Sequence, residues 1–220
     1  MKKGFTLAEV LITMALIGVI AAMVLPALLS DTNKAKVGPS LAKMVNTLEN
    51  ANKLALVENS ARSLDTICGN NYLACISEFL PGAAVNFGKD GVNYTAYDLS
   101  TEAIAPTTGF NTNDGMTIYV TAGPAADALE SAPRQYYGRF YTVYVDISGV
   151  RKRPNAIGRD TFQLLVDLNG SVIPFGGSAY QAYTAGASTL WQSDCNRGTT
   201  PSNGNACAGS IADNGWRVIY

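Results

Sequence analysis

The 220-residue chain contains no histidine, which removes from its chemistry the commonest general base and the commonest metal ligand of proteins. It has four cysteines, none in a C-x-x-C spacing, and without histidine a zinc site is not expected. A net charge of −1 predicts no strong attraction to nucleic acid. No nucleophile elbow and no phosphate-binding loop occurs in the sequence. These absences disfavour an enzyme.

Charge is also scarce, and the deficit is concentrated at the N-terminus. Charged residues make up 15% of the chain, against about 25% in typical soluble domains. From Phe5 to Leu29 the only charged residue is Glu9. A helix of about 25 residues is about 37 Å long, enough to cross a hydrocarbon core of about 30 Å. This segment is therefore predicted to span a membrane.

The residues before the apolar segment predict its orientation. Lys2 and Lys3 should keep that end in the cytoplasm, so that the chain after Asp31 lies outside the inner membrane. A conventional secretory signal is the alternative. Its apolar region is usually only about 7–15 residues long and is followed by a cleavage site of the A-x-A kind, which is not evident here.

Glu9 needs a partner, because an acid at the centre of a membrane helix costs about 2.5–3.5 kcal/mol. One local answer is the sequence Thr6-Leu7-Ala8-Glu9, which fits the S/T-x-x-E capping box. In that motif each side chain accepts a hydrogen bond from the other residue's backbone N–H. A carboxylate near a helix N-terminus is also favoured by the helix dipole.

The N-terminal sequence as a whole is identified by its resemblance to a known family. The run Gly4-Phe5-Thr6-Leu7-Ala8-Glu9-Val10-Leu11 resembles the class III leader junction of type IV pilins and type II secretion pseudopilins. The resemblance implies cleavage after Gly4 by a prepilin peptidase that also methylates the amine of Phe5. It implies that Glu9 pairs with the N-terminal amine of a neighbouring subunit. Further along the same helix, the family often has a glycine and a proline at the positions of Gly18 and Pro26.

The same resemblance implies the partners and the location of the protein. The partners would be the prepilin peptidase/N-methyltransferase, further copies and other pilin-like subunits, the membrane, and the inner-membrane assembly platform with its ATPase. The chain would cross the bacterial inner membrane once, with its globular domain in the periplasm or in an extracellular filament. A type II secretion pseudopilin is the expected subtype. A DNA-uptake or minor type IV pilin is the alternative, and a membrane-anchored periplasmic enzyme is a further one.

A pilin-like α+β fold is expected, with a long bent N-terminal helix packed on an antiparallel sheet. The helix should run from Phe5 to about Ala61, bent at Pro26 and near Gly38-Pro39. Its membrane-distal half carries an apolar stripe at helical spacing, which predicts a core face or, alternatively, a site for a partner helix. The stripe consists of Leu41, Met44, Val45, Leu48, Ala51 and Ala55.

Strand signals follow the helix. Residues 116–121 and 139–147 are rich in β-branched and aromatic residues, and Asn169-Gly170 predicts a hairpin between 161–168 and 171–175. Residues 216–220 could add a last strand. The expected organisation is a leader (1–4), a transmembrane helix (5–29), an amphipathic helix half (30–61), an irregular connection (62–113), the sheet (114–175) and a C-terminal region (176–220).

The four cysteines form two short-range pairs, Cys68 with Cys75 and Cys195 with Cys207, each around a loop rich in glycine and asparagine. Four cysteines allow three pairings. For an exported domain we expect the two sequential disulfides. Free buried thiols in a cytosolic domain are the alternative.

A second motif begins at Asp146. Residues 146–162 resemble the D-x-N-G-x-K-x-P-N-x-x-G-x-D-x-F signature of bacterial pseudopilin-like proteins, with Ser148 in place of the usual asparagine. The motif is interpreted as a turn framework. The alternative is a calcium site involving Asp146, Asp160 and Asp167, although Ser178 stands where an EF-hand loop beginning at Asp167 would need its bidentate acid. No cofactor other than calcium is suggested by the sequence.

Arg151-Lys152-Arg153 is the chain's only basic run. A solvated turn is the simplest interpretation. Contact with an acidic patch on the next subunit, or with DNA phosphates, is the alternative. An enzyme would gain support if two of the aspartates formed a buried acid pair in a cleft.

Overall fold

The computed structural model describes residues 4, 6–86, 93–97, 102–104, 106, 108–125, 140–183, 194–195 and 203–220. The chain forms two compact units, Met1–Lys36 and Val37–Tyr220.

The N-terminal helix, α1, is a single element of 52 residues, Leu7–Glu58. It continues through Pro26 and through Gly38-Pro39, so neither proline ends it. It ends at Glu58, slightly before the expected end near Ala61. The bends expected at the two prolines stay predictions.

The second half of α1 buries the stripe expected from its periodicity. All six residues of the stripe are at most 7% exposed, and they share one core with residues of the sheet. The prediction of a core face is therefore confirmed. The exposed polar residues of this part of the helix include Lys34, Lys36, Lys43, Asn46, Asn50 and Lys53.

In the part of the chain that the structure describes, eight strands form two antiparallel sheets. The strands are β1 (Gly82–Asn86), β2 (Tyr94–Thr95), β3 (Glu102–Ile104), β4 (Thr108–Thr112), β5 (Thr117–Ala125), β6 (Phe140–Asp146), β7 (Thr161–Val166) and β8 (Val172–Pro174). The larger sheet has the order β1-β4-β5-β6-β7-β8, and β2 pairs with β3. Four short helices complete the described elements: α2 (Leu64–Cys68), α3 (Tyr72–Ser77), α4 (Ser178–Tyr183) and α5 (Cys207–Asp213). A helix packed on an antiparallel sheet is the expected α+β, pilin-like class.

Strand β6 shows how alternation divides the two faces of the sheet. Tyr141, Val143 and Val145 point into the core shared with α1. Phe140 and Tyr144 point to the other face and join smaller apolar clusters there. This is the alternation that the sequence predicts for a strand with a period of two.

The hairpin expected at Asn169-Gly170 is present. Val166 pairs with Val172 across the turn, and Gly170 has a φ of +89°. A β-carbon at that position would lie 3.0 Å from the Cβ of Asn52 on α1. Glycine is therefore needed both for the backbone conformation and for the approach of the turn to the helix.

Two segments differ from expectation. Residues 62–113, expected to be irregular, contain α2, α3 and strands β1–β4. Strand β1 reads Gly-Ala-Ala-Val-Asn, a poor β sequence that becomes a strand by pairing with β4, because tertiary context outweighs propensity. Residues 216–220 form no strand. Their alternating burial arises because Trp216, Val218 and Tyr220 pack against the core.

Gly38 has a role that differs from the one expected of Gly38-Pro39. A β-carbon built on Gly38 would lie 1.8 Å from the carbonyl oxygen of Trp216. Real β-carbons do not approach a backbone atom so closely. The glycine therefore allows the C-terminal segment to lie directly against α1, and the helix does not break there.

A buried polar network joins α1 to three other parts of the domain. The side-chain amide of Asn52 donates to the carbonyl oxygen of Gly170 at 3.0 Å, and the hydroxyl of Tyr72 donates to Asn52 Oδ1 at 2.8 Å. The ring of Tyr72 stacks on Tyr141, whose hydroxyl donates to the carbonyl oxygen of Gly69 at 2.7 Å. Since buried polar groups need such partners, the network fixes α1 against the sheet and the Cys68–Cys75 loop.

Candidate functional site

The first candidate site is the start of α1, where Thr6 and Glu9 form a reciprocal cap. The backbone N–H and the hydroxyl of Thr6 each donate to Glu9 Oε2 at 2.8 Å. The backbone N–H of Glu9 donates to Thr6 Oγ1 at 3.3 Å. These bonds are those of the capping box, and they explain why the helix begins at Leu7.

The cap uses only half of the carboxylate. Both bonds from Thr6 end on Oε2, and no donor among the described residues bonds to Glu9 Oε1. The nearby hydroxyl of Thr13 is satisfied within the helix by the carbonyl oxygens of Glu9 and Val10, each at 3.0 Å. Glu9 Oε1 is thus an acceptor available to a group from outside this helix.

Apart from Thr6 and Thr13, the helix around Glu9 is apolar. The segment Leu7–Leu25, 19 residues, is long and apolar enough to cross a membrane. A helix that is apolar all round belongs in a protein core or in a membrane. Here the large side chains are 42–79% exposed, which fits a membrane; they are Leu7, Val10, Leu11, Ile12, Met14, Leu16, Ile17, Val19, Ile20, Met23, Val24 and Leu25.

The other residues predicted to matter in this segment are Gly4, Phe5, Gly18 and Pro26. Gly4 and Gly18 each have open space where a β-carbon would be. Pro26 lies within the helical backbone of α1, and its side chain is outside the described part. Phe5 is outside the described residues. The cleavage and pairing roles of Gly4, Phe5 and Glu9 stay predictions.

The second candidate site is the turn framework between β6 and β7. Asp146 Oδ1 accepts the backbone N–H groups of Ser148 at 3.0 Å and Gly149 at 2.8 Å. Its other oxygen, Oδ2, accepts the hydroxyl of Tyr94 at 3.1 Å. The tyrosine comes from β2, far away in the chain, so Asp146 ties the smaller sheet to the larger one.

Asp160 holds the other end of the same loop. Its Oδ1 accepts the N–H of Ala156 at 2.7 Å, and its Oδ2 accepts the N–H of Asn155 at 2.9 Å. The hydroxyl of Ser148 lies between the two acids, 3.1 Å from Asp146 Oδ1 and 3.2 Å from Asp160 Oδ2.

Asp146 and Asp160 are both buried, and their carboxylates lie on either side of one hydroxyl. Burial, followed by the charge of Asp160, raises the pKa of Asp146 to about 6. Burial raises the pKa of Asp160 as well. They are 0% and 6% exposed, and every carboxylate oxygen is bonded to the protein. The pair is therefore buried in the protein interior with its oxygens bonded to protein donors, and it lends the enzyme hypothesis no support.

The calcium alternative gains no support from these bonds. Asp167 is buried in its own turn, where its Oδ1 accepts the N–H of Ser171 at 2.8 Å. Within the described ranges, no group of three or more His, Cys, Asp or Glu side chains could hold a metal ion. The bonding of Asp146, Asp160 and Asp167 is that of turn residues, and calcium binding stays a prediction.

Two disulfides are present, Cys68–Cys75 and Cys195–Cys207. The first joins α2 to α3. The second ends at the first residue of α5, where Gly158 lies so close that an added β-carbon would be 2.7 Å from Cys207 Sγ. Both have the sequential pairing expected for an exported domain.

Comparison with known proteins bears on the first site. Residues 1–25 match the family model of the prokaryotic N-terminal methylation motif. No curated protein and no solved structure gives a significant match. Residues 1–25 are thus a type IV pilin-like prepilin segment. This supports a membrane-anchored, non-enzymatic subunit that is processed by a prepilin peptidase and assembles with pilin-like subunits.

Proposed function

We propose that this chain is a pseudopilin of a type II secretion system, a structural subunit that works by assembly. The observation that carries the filament role is the methylation motif at residues 1–25, which includes the apolar segment Leu7–Leu25 with Glu9 as its only charge. The pseudopilin subtype is supported by the resemblance of residues 146–162 to the pseudopilin-like signature.

The proposed mechanism begins in the membrane. The N-terminus lies in the cytoplasm, and the domain formed by Val37–Tyr220 lies in the periplasm. Cleavage after Gly4 creates a new amine at Phe5. Methylation leaves that amine basic, so it can be a cation at neutral pH.

Assembly then supplies the second partner of Glu9. Before assembly, Thr6 bonds to Glu9 Oε2 and Oε1 is available. The N-terminal amine of a neighbouring copy can approach Oε1 and pair with the carboxylate. The benefit is large in an apolar surrounding, because an unpaired charge there is costly. A contact between two different surfaces can be repeated from copy to copy, and it produces a filament where the rotation between copies does not close into a ring.

Mass spectrometry of the mature N-terminus tests this function. The expected mature chain begins at Phe5 with one additional methyl group on its amine. An intact Met1, or a new N-terminus near Ala22, would contradict the prepilin assignment. A strain that lacks the prepilin peptidase is the control, and it should accumulate the chain with its leader.

A DNA-uptake pilin is the second candidate, because Arg151, Lys152 and Arg153 are all exposed. Deletion of the gene separates the two candidates. For a pseudopilin we expect exported proteins to accumulate in the periplasm while transformation by DNA stays normal. Loss of transformation with normal secretion would favour the DNA-uptake pilin.

A further inference from the structure

Strand β1, at one edge of the six-stranded sheet, lacks the features that usually protect an edge strand. It contains no charged residue and no proline, and its register with β4 runs without a bulge. Gly82, Ala83 and Ala84 are all exposed. Lysine, proline and bulges are common means by which edge strands avoid pairing with another chain. β1 is therefore open to such pairing.

The opposite edge of the same sheet is protected. β8 has only three residues and contains Pro174, which has no backbone N–H to offer a further strand. The residue after it is bonded to α5, since the N–H of Gly209 donates to the carbonyl oxygen of Phe175 at 2.9 Å. The two edges of one sheet therefore differ in their ability to accept another strand.

The backbone groups on the outer side of β1 are fixed by its pairing with β4. The N–H of Asn113 donates to the carbonyl oxygen of Pro81 at 2.9 Å, and inward and outward groups alternate along an antiparallel edge strand. The register then turns the N–H and C=O of Ala83 toward β4 and those of Gly82 and Ala84 away from the sheet. Among the described residues, no group bonds to these outward groups.

A second copy of β1 matches this pattern of outward groups. The alternation continues to Asn86, so the outward residues are Gly82, Ala84 and Asn86. When two copies run antiparallel with Ala84 opposite Ala84, Gly82 of each copy lies opposite Asn86 of the other. Every outward residue then faces an outward residue, and opposite residues can exchange both of their N–H···O bonds. Since β1 carries no charge, the two strands meet without like-charge repulsion.

We propose that β1 of one copy of this chain pairs antiparallel with β1 of a second copy, so that two six-stranded sheets join edge to edge. The same surface is used on both copies, and the contact closes after two. This pairing goes beyond the proposed function. Successive copies of a polar filament point the same way and share no two-fold axis, so the contact joins copies of neighbouring filaments or copies not yet assembled.

The size of the contact predicts how strong it is. β1 has five residues, and a contact confined to so short a strand belongs to the small, transient interfaces that bury less than about 1,200 Å² in total. The pairing should therefore be weak in dilute solution. It should be populated where copies are concentrated, as they are in a membrane.

Cysteine cross-linking of the full-length chain in the membranes of its own cells tests the register. All four natural cysteines are in disulfides, so an added cysteine is the only free thiol. Under mild oxidation Ala84→Cys should form a disulfide-linked dimer, because opposite α-carbons in such a pair are about 5.5 Å apart. Ala83→Cys is the matched control. Residue 83 is exposed as well, but its counterpart is displaced by two residues along the strand and lies about 8 Å away, too far for a disulfide.

Ala84→Pro tests the backbone bonds themselves, in the full-length chain in a nonionic detergent. Proline removes the outward N–H of residue 84 and no bond to β4, and edge strands accept proline where the N–H faces solvent. The dissociation constant of the dimer, measured by sedimentation, should rise at least about tenfold, because the central pair loses a bond from each strand. Ala84→Val keeps the N–H and should leave the dissociation constant unchanged.

The outcomes decide the pairing of two copies. Folding of each variant is checked by protease resistance, and the two cysteine variants alone decide if Ala84→Pro fails that check. At least about ten times more dimer from Ala84→Cys than from Ala83→Cys supports the pairing. Equal cross-linking at the two positions, no dimer from Ala84→Cys, or an unchanged dissociation constant for folded Ala84→Pro overturns it. A cross-link from residue 84 to a different protein, in place of the dimer, overturns it as well.

Discussion

Replacing Glu9 by alanine is expected to stop filament assembly while the chain still inserts into the membrane. The variant removes the only charge of Leu7–Leu25, so the anchor becomes more apolar and insertion is not impaired. The amine of the neighbouring subunit then has no counter-charge. Leaving one partner of a buried pair alone costs about 3–5 kcal/mol, which lowers an association constant by more than about a hundredfold.

The measurement compares sheared filaments with carbonate-resistant membrane protein in the same cells. The expected result is wild-type membrane protein with filaments below detection. Normal filaments from the Glu9→Ala chain would show that the carboxylate is not the partner of the amine. Reduced membrane insertion would instead mean that Glu9 contributes mainly to the helix start.

Thr6→Ala is the matched control because it removes the cap and keeps the acid. Thr6 contributes its hydroxyl to the reciprocal bonds with Glu9. Losing a cap of this kind costs about 0.5–2 kcal/mol of helix stability. Filaments should still form, because Glu9 can still meet an amine. The pair of variants therefore separates the local role of the acid from its role between subunits.

Local patterns in the sequence predicted the parts of the fold that depend on neighbours in the chain. The stripe from Leu41 to Ala55 needs only helical spacing to be recognised, and Asn169-Gly170 needs only two residues between two apolar runs. The Thr6–Glu9 cap spans four residues. In each case the structural reason lies within one helix or one hairpin, so the sequence contains enough information to find it.

Contacts between distant residues could not be predicted in this way. Gly38 is needed because the carbonyl of Trp216 lies against it, and nothing near Gly38 in the sequence signals that approach. Asn52 looks like one more polar residue of an amphipathic helix until Tyr72 and Gly170 are seen to bond to it. Strand β1 exists because β4 pairs with it. These features depend on topology, which periodicity does not specify.

The pair Asp146 and Asp160 depends both on a local sequence motif and on contacts between distant residues. The motif at residues 146–162 indicated turn residues, and Asp146 and Asp160 are indeed bonded to turn backbone. The sequence did not indicate that Tyr94 reaches Asp146 from another sheet, or that the acids share one hydroxyl. The Ser148 hydroxyl has a single hydrogen for two carboxylates. Ser148 can therefore donate to only one of the two acids at a time, and the raised pKa of Asp146 comes from burial and from the charge of Asp160.

The wild-type chain is expected to lose stability as the pH rises from about 4 to about 6. Asp146→Asn is expected to remove most of that loss. The pKa of Asp146 is raised from 3.8 to about 6 in the folded chain, so in this interval the folded state holds a proton that the unfolded state has lost. Its contribution is complete below pH 3.8 and disappears as the pH passes 6. The shift corresponds to about 3 kcal/mol. Asp160 acts in the same direction, since burial raises its pKa as well.

The expected measurement is the free energy of unfolding of the full chain in a nonionic detergent, at pH values from 4 to 7.5. Relative to wild type, Asp146→Asn should gain up to about 3 kcal/mol between the two ends of that range. Asparagine fits because its oxygen can keep the bonds to Ser148 and Gly149, while its amide donates to the hydroxyl oxygen of Tyr94. An unchanged pH profile would show that the pKa of Asp146 is not raised in the folded chain.

Asp160→Asn shows whether the effect of Asp146→Asn comes from the proton on Asp146 or from the loss of hydrogen bonds that any Asp→Asn change in this pair would cause. Both oxygens of Asp160 accept backbone N–H groups, from Asn155 and Ala156. Whichever way an asparagine side chain is turned, its amide faces one of those donors and leaves it unsatisfied. The variant should lose about 1–3 kcal/mol even at low pH, where Asp146→Asn is close to neutral. The two isosteric changes should therefore differ in effect. Asp146 has one oxygen that meets only a hydroxyl, which can accept as well as donate, whereas each oxygen of Asp160 meets a backbone N–H, which can only donate.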